Sequence, residues 1–558
     1  MQQGCQNYRR FLFLMFSGTL IFWLFASLTI AQTNSINRPY QPVILDSSFT
    51  EFSNNKAAIK ELFLYKYTIA NNFWEQIPFQ FDEVEPDSAT PANPTYFRKG
   101  DGKLDDQDEL VFMARDAGDK APAAAWIPDA SSRSFIRYEI ELTDPLAAGN
   151  LGYVYLFRST TLTVLPNVKD YVTYTAPSPN SGNDVVKGQS YEEGHRINGI
   201  NNSLLVPASA GGSGTDFLDQ LKLRFQISVF GFNVPVTEEG FELQSIQIEE
   251  GNVRLIRRLN ERISVLGNNL PFSIDVLYYG YSVVLATDLN ITTNGVNLLR
   301  QSVDFESNVS GAKWYNQNIT TPVTVDGAPD NLSAQNLAVV QAPNLNWYML
   351  SSSHGSFITV FSLPVGFGSS QKFYYHDAPN NTADGTPDSG ANPGSYGDGG
   401  LLITGTDIKG RFAITLTSYI LGKDQARPVG ETLFNQTLKP LTARIAGLRV
   451  AVQENPAVAP QHFALQQNSP NPISASTPST VIRYELPFTS NVPVSLRIFN
   501  LLGQNVRELV NAMQPAGGYE AQWDGRLQNG EKAPAGIYFY QLRAGNQVAT
   551  QKLMVLNR

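Results

Sequence analysis

The sequence predicts an all-β protein, a multi-domain β-sandwich body followed by a smaller C-terminal sandwich. Three observations carry that expectation. Between residues 119 and 450 apolar and polar residues alternate in run after run, the period of half-buried strands. The last hundred residues hold shorter alternating runs, each closed by Gly, Pro or Asn. Charged residues make up only 16% of the chain, against 43 glycines and 24 tyrosines, a balance that suits strands and turns.

The N-terminus comes first. Met1 to Tyr8 is polar, Arg9 and Arg10 are basic, and Phe11 to Ile30 is nearly all apolar. Thr29-Ile-Ala31 places small residues for cleavage before Gln32, so residues 1–31 are expected to be a signal peptide. An uncleaved anchor is the alternative, because twenty apolar residues can span a bilayer. Cleavage leaves 527 of the 558 residues, room for three or four domains, with no transmembrane segment expected after the leader. The formal charge is −9, and −11 without Arg9 and Arg10, which argues against nucleic acid or an anionic membrane as partner. The single cysteine, Cys5, lies inside the leader with no lipobox-like apolar run before it. The cleaved chain therefore has no disulfide, thiol nucleophile or cysteine–metal site.

Residues 32–118 read as a β-rich N-terminal region with an acidic loop. Val43 to Leu45, Ala58 to Thr68 and Trp74 to Phe81 are the expected strands, with Pro78 suiting an edge. After the polar run Asp82 to Asp87 comes Gly100-Asp-Gly-Lys-Leu-Asp-Asp-Gln-Asp-Glu109. Asp101, Gly102, Leu104, Asp105 and Asp108 resemble the second half of a dockerin-like or EF-hand-like calcium loop. Phe97 and Lys99 stand where that pattern has ligands, so Asp82, Glu83 or Glu85 would have to replace them. The resemblance implies a calcium site built on Asp82, Asp101, Asp105 and Asp108. The other reading is a solvated acidic turn capping a strand.

Residues 119–450 read as one large β-sandwich body. Phe135 to Leu142, Gly152 to Phe157, Leu221 to Val229, Leu243 to Ile248, Val253 to Arg257, Ser273 to Gly280, Trp347 to Ser351 and Arg411 to Tyr419 all alternate. No helix of three turns is expected, beyond a turn at Phe217 to Leu221. Long polar connections are expected at 175–215 and 376–400. Glu249-Glu-Gly-Asn-Val-Arg-Leu-Ile-Arg257, followed by a Tyr-rich strand, is faintly similar to the galactose-mutarotase-type supersandwich over about 180–420. No catalytic residue carries over from it.

Motifs for metal-assisted peptide hydrolysis, for a serine nucleophile elbow and for phosphate cradling are absent from the sequence. Of the four histidines, His462 falls in a linker, and His195, His354 and His376 are expected to be structural rather than functional. The Gly/Asp/Asn-rich stretch from His376 to Gly400 is the other candidate. Asp377, Asp384, Asp388 and Asp398 are suited to a cation, and Tyr374, Tyr375 and Tyr396 to the face of a sugar ring. Asp-Gly and Pro-Asp are equally ordinary turn residues.

Residues 451–470 are Pro- and Ala-rich and are expected to be a linker ahead of a domain at 471–558. The tail carries Phe463-Ala-Leu-Gln-Gln-Asn-Ser-Pro-Asn-Pro472, Thr480-Val-Ile-Arg-Tyr-Glu-Leu-Pro487 and Val492-Pro-Val-Ser-Leu-Arg-Ile-Phe-Asn-Leu-Leu-Gly503. It continues with Gly517-Gly-Tyr-Glu-Ala-Gln-Trp-Asp-Gly525, Ala535-Gly-Ile-Tyr-Phe-Tyr-Gln-Leu-Arg543 and Gln551-Lys-Leu-Met-Val-Leu556. This series resembles the type A C-terminal sorting domain of the type IX secretion system, an immunoglobulin-like sandwich related to the flagellar hook-capping domain. It departs where the family reads Tyr-Pro-Asn-Pro-Phe-Asn-Pro, since Ser469-Pro-Asn-Pro-Ile473 runs here into Ser474 to Ser479. Trp523 and Tyr538 are the expected core aromatics. The resemblance implies the type IX machinery as partner and a secreted or outer-surface location, in keeping with the leader. The expected function is a non-enzymatic binding or structural surface protein, with glycan as the candidate ligand. A polysaccharide-active enzyme on a supersandwich scaffold is the alternative.

Overall fold

The computed structural model describes residues 32–556 apart from 47–48, 87–93, 96, 98–99, 166–167, 177–182, 230, 266–267, 292–294, 343, 364–365, 380–394, 407, 409, 449–462, 475–478, 488–491 and 516. The expected signal peptide, residues 451–462 of the expected linker, and Lys99, Asp384 and Asp388 lie outside the described residues.

Alternation along the first strands produces two sheets with one core between them. Pro42–Asp46 and Phe79–Asp82 flank Glu109–Met113 in a three-stranded antiparallel sheet. A five-stranded sheet runs Thr442–Leu448, Arg137–Thr143, Leu151–Arg158, Leu62–Thr68, Phe73–Gln76. Phe52, Leu64, Leu110, Phe112, Ile140 and Leu156 fill the space between them. Strands on both sides of residue 118 thus share one sheet, and Gly118 N donates to Tyr153 O at 2.8 Å. The sheets do not divide at the expected 118/119 boundary. The outer face of the five-stranded sheet carries Trp126, Tyr155 and Phe157, with the Arg137 guanidinium 4.9 Å from the Tyr155 ring centroid.

The central body holds a nine-stranded and a five-stranded sheet around the largest core. The large sheet runs Phe241–Glu250, Arg254–Val265, Asn268–Tyr279, Ser282–Ile291, Gly410–Leu421, Ser356–Ser362, Asn346–Ser351, Lys313–Asn316, Val323–Thr324. The smaller runs Phe232–Val236, Leu218–Val229, Val296–Phe305, Asp398–Thr404, Ser370–His376. All neighbouring pairs given a register are antiparallel. Leu218–Val229 is strand from its first residue, so the turn expected at Phe217 to Leu221 is corrected: Leu218 and Gln220 already pair with Phe305 and Asp304. The expected polar connection at 175–215 contains three strands, Val185–Lys187, Glu192–His195 and Asn201–Leu205, which join Thr173–Thr175 in a four-stranded sheet.

One helix was not expected. Arg427–Leu438 lies on the outer face of the nine-stranded sheet, where Leu433 packs with Trp347, Met349 and Tyr419. Pro428 suits its first turn. Gly430 sits inside it because a Cβ there would come within 2.5 Å of Trp347 Cζ3. Its C-terminal carbonyls meet Arg38, which donates to Gln436 O at 3.2 Å and Lys439 O at 3.0 Å while pairing with Asp144.

The C-terminal sandwich packs Ala464–Leu465, Thr480–Leu486 and Gly517–Trp523 against Asn505–Gln514, Val492–Phe499, Gly536–Ala544 and Gln547–Val555. Trp523 and Tyr538 lie in its core with ring centroids 5.7 Å apart. The linker expected at 451–470 ends sooner than residue 470. Leu465 is buried opposite Tyr484, and Ser469 bridges to Val481, so this stretch is already part of the sandwich.

Candidate functional site

Loop residues reach one end of the central sandwich because two neighbouring strands deliver them there. Ser370–His376 ends at Asp377, and Asp398–Thr404 begins just after Tyr396. The buried Asp377 carboxylate accepts hydrogen bonds from the backbone of Asp326 at 2.7 Å, Gly327 at 3.0 Å and Gly397 at 3.2 Å. It thereby fixes the 326–330 loop against the sheet. Gly327 has φ +77°, and a Cβ there would stand 3.2 Å from the Tyr396 ring. Asp304 accepts from Tyr396 N at 3.0 Å, orienting that residue from below.

The cluster is acidic and partly aromatic. Loss of solvent, then the charges of Asp377 and Asp326, push the Asp330 carboxyl up to about 6. Burial raises Asp377 too, against its three backbone donors. The Tyr375 hydroxyl lies against Asp330, and its ring packs on Trp314 at 4.4 Å between centroids. Behind this rim Lys222 lies 2.6 Å from Asp304 and 3.4 Å from Asp398, all three buried. Such an arrangement offers carboxylates to hydroxyl donors beside the half-buried Tyr396 ring. Asp377 and Asp398, proposed from sequence as cation ligands, are held instead by backbone N–H groups and by Lys222. Tyr374 faces away and pairs with Arg300 at 2.6 Å.

The histidines are scattered. His195 is enclosed: Nδ1 is 2.8 Å from Asp184 Oδ1, and Nε2 is 3.1 Å from Glu193 Oε1 and 3.0 Å from the Tyr278 hydroxyl. Burial and Arg257 oppose its charge, but hydrogen bonds to Asp184 and Glu193 outweigh them and raise its pKa. Asp184 also grips Arg257 with both oxygens at 2.9 Å; burial opposes its charge, yet His195 and Arg257 lower it to about 2. This cluster borders a cavity of about 70 Å³ and pins the four-stranded sheet to the nine-stranded one. His354 lies elsewhere, in the turn before Ser356–Ser362, and His376 ends its strand next to Asp377.

The acidic loop does not gather its four expected carboxylates. Asp82 is drawn to Arg254 Nε at 2.7 Å, away from the turn. Asp101 accepts from Lys103 N at 2.8 Å and Asp105 from Gln107 N at 3.0 Å. Asp108 accepts from Asp105 N at 2.8 Å and Val84 N at 3.2 Å, and burial pushes it up to about 6. Glu83 accepts from Gly102 N at 2.7 Å. Among the described residues no three His, Cys, Asp or Glu side chains form an arrangement able to hold a metal ion. Likewise no helix among them is long and apolar enough to cross a membrane.

One family model matches: residues 471–547 form a FlgD Ig-like domain. The tail is thus immunoglobulin-like, as its motifs implied. No curated protein matches the chain in sequence. Among solved structures, an α-mannosidase from Enterococcus faecalis V583 is similar at 10% identity and TM-score 0.40, over 88% of this chain and 55% of the mannosidase. Dimeric latent PorU from Porphyromonas gingivalis matches at 14% identity and TM-score 0.15, over 72% of this chain and 35% of its own. PorZ, a type-IX secretion surface component of the same organism, matches at 10% identity and TM-score 0.14, over 70% and 83% respectively. Superpositions at these scores do not define a shared fold.

Proposed function

We propose that this is a surface or secreted protein exported through type IX secretion, whose central sandwich binds glycan. The observation that carries the binding reading is the pair of exposed carboxylates, Asp326 and Asp330, near the half-buried Tyr396, on a loop that the buried Asp377 carboxylate holds in place. Sugars offer hydroxyl donors to the former and a C–H face to the latter. The export reading rests on the apolar leader and on the ordered motif series in the immunoglobulin-like tail. Screening the full chain on a glycan array, then titrating the best ligand against Asp330→Asn and Tyr396→Ala, tests the first part. Both substitutions should weaken binding at least tenfold, and unchanged affinity in both would overturn the binding reading. Removal of residues 463–558 should leave the body in the periplasm; normal surface delivery would overturn the export reading.

A further inference from the structure

His354 and Ser213 are 141 positions apart and meet at 2.8 Å, Nδ1 to Oγ. The loops that carry them are docked by a second contact, Ser213 N donating to His354 O at 3.1 Å. Ser213 stands in the glycine-rich turn Gly211-Gly-Ser-Gly214, with left-handed backbone at Gly211 (φ +84°) and Gly214 (φ +74°). Such φ values, favourable only for glycine, let the turn lift Ser213 into solvent, and its side chain is exposed. His354 sits in the tight turn joining Asn346–Ser351 to Ser356–Ser362, and Ser352 Oγ accepts from the backbone of His354 at 3.2 Å and Gly355 at 3.2 Å.

The tautomer of His354 follows from its other neighbour. Nε2 lies 3.2 Å from the carbonyl oxygen of Asn308, which can only accept. When the ring is neutral, Nε2 therefore carries the proton and Nδ1 presents a lone pair to Ser213. The hydroxyl of Ser213 donates to it. The Ser213 oxygen also receives Thr215 N–H at 3.1 Å, which leaves its remaining lone pair toward solvent. A hydroxyl bonded to a base, with the base oriented by a third group, is the arrangement that activates a serine nucleophile.

We propose that Ser213 and His354 form a hydrolytic site for short-chain esters of polar alcohols. This activity goes beyond glycan binding and does not depend on the cluster around Asp330. In the first step Ser213 Oγ attacks the ester carbonyl carbon as its proton passes to His354 Nδ1. Collapse of the tetrahedral adduct breaks the carbon–alkoxide bond, and the proton on Nδ1 goes to the departing alcohol. Water then attacks the acyl-Ser213 ester, giving its proton to Nδ1, and the carboxylic acid leaves as Ser213 regains its hydrogen. The chemistry needs only water as co-reactant.

The surroundings set the substrate class. Next to His354 in sequence, Ser353 lines a cavity of about 330 Å³ together with Ser310, Lys313, Asp424 and Gln425, while Ser213 and His354 stand outside its lining. A polar lining of this kind suits a hydroxylated alcohol portion. Ser213 itself is exposed, so the small acetyl group is the acyl portion assigned to it.

The experiment treats the full chain with a fluorophosphonate and maps the modified residue by mass spectrometry, alongside hydrolysis of p-nitrophenyl acetate and p-nitrophenyl octanoate. Covalent modification of Ser213 and faster turnover of the acetate are expected. Ser213→Ala should abolish labelling, and His354→Gln should slow both labelling and hydrolysis by about 100-fold or more, the usual worth of a general base. Melting curves of the two variants distinguish lost chemistry from lost folding. The labelling of the unaltered protein needs no variant: if Ser213 stays unmodified while other serines react, the proposal is overturned. Equal acetate hydrolysis by wild type and Ser213→Ala would overturn it as well.

Discussion

Arg254 Nε lies 2.7 Å from the Asp82 carboxylate, and the same guanidinium reaches Glu109. This buried cation joins the three-stranded sheet to the nine-stranded one. Gln80 adds a neutral tie, its side-chain oxygen accepting from Val253 N at 2.9 Å and Arg254 N at 2.8 Å. Asp82 thereby serves the junction between two sandwiches, a role its place in an acidic run did not suggest.

Removing Arg254 should be costly because it strands two carboxylates at low exposure. Arg254→Ala is expected to lower the stability of the body by about 3–5 kcal/mol. Arg262→Ala, which breaks a solvent-exposed pair with Glu242, should cost about 0–1 kcal/mol. Urea unfolding of the two variants beside the wild type checks the contrast. Equal losses would mean that the junction does not depend on Arg254.

The His195 cluster makes stability depend on pH. Its pKa is raised in the fold, so its contribution is complete below the unfolded value of about 6.5 and is lost as pH rises through the folded value. Asp184 has the opposite sign: lowered to about 2, it contributes above its ordinary range and loses that contribution only in strong acid. The groups facing the imidazole are Asp184, Glu193, Tyr278 and Arg257. Melting temperature should therefore fall as pH climbs above about 6.5, and His195→Gln should flatten that limb. An unchanged slope in the variant would assign the pH dependence elsewhere.

Strands with one wet face were legible because burial alternates along them, as in Thr480–Leu486 and Val492–Phe499. Asn346–Ser351 was expected from alternation over Trp347 to Ser351, yet it is buried at every position. The four-stranded sheet was not, since three- and four-residue strands such as Val185–Lys187 and Glu192–His195 are too short to show a period. The helix Arg427–Leu438 was hidden by Gly430, whose presence answers Trp347 eighty-three positions earlier. The candidate sites share that non-locality. Asp377 was visible as a loop acid, but its partners at 326, 327 and 397 come from separate turns. Ser213 and His354 carried no signal beyond a glycine-rich turn and a lone histidine.

Calcium at the acidic turn has a direct test. Asp101, Asp105, Asp108 and Glu83 already spend oxygens on backbone N–H groups, and Asp82 is committed to Arg254. Melting temperatures in millimolar calcium and in chelator should coincide. A cation bound at a hundredfold excess over its dissociation constant would add about 2.7 kcal/mol. A rise of that size, removed by Asp105→Ala, would show that the turn recruits backbone carbonyls and water to complete a site.

The C-terminal sandwich should fold without the body. Among the described residues its buried core runs from Leu465 to Val555, with Phe463 packed against it, and includes no side chain from the body. Trp523 is fully buried there, and its indole N–H donates to Arg526 O at 2.8 Å. It is also the one tryptophan in residues 463–558, so fluorescence of the isolated fragment reports on that core alone. The fragment is expected to show a blue-shifted emission and a single cooperative transition in urea. Trp523→Phe leaves a gap beside Tyr538 and an unmatched carbonyl, and Trp523→Ala should cost about 3–5 kcal/mol, followed by circular dichroism since the fluorophore is gone. Emission at the wavelength of free indole in the unaltered fragment would show that the sandwich needs the body to fold, and that export and display cannot then be separated from the folding of the body.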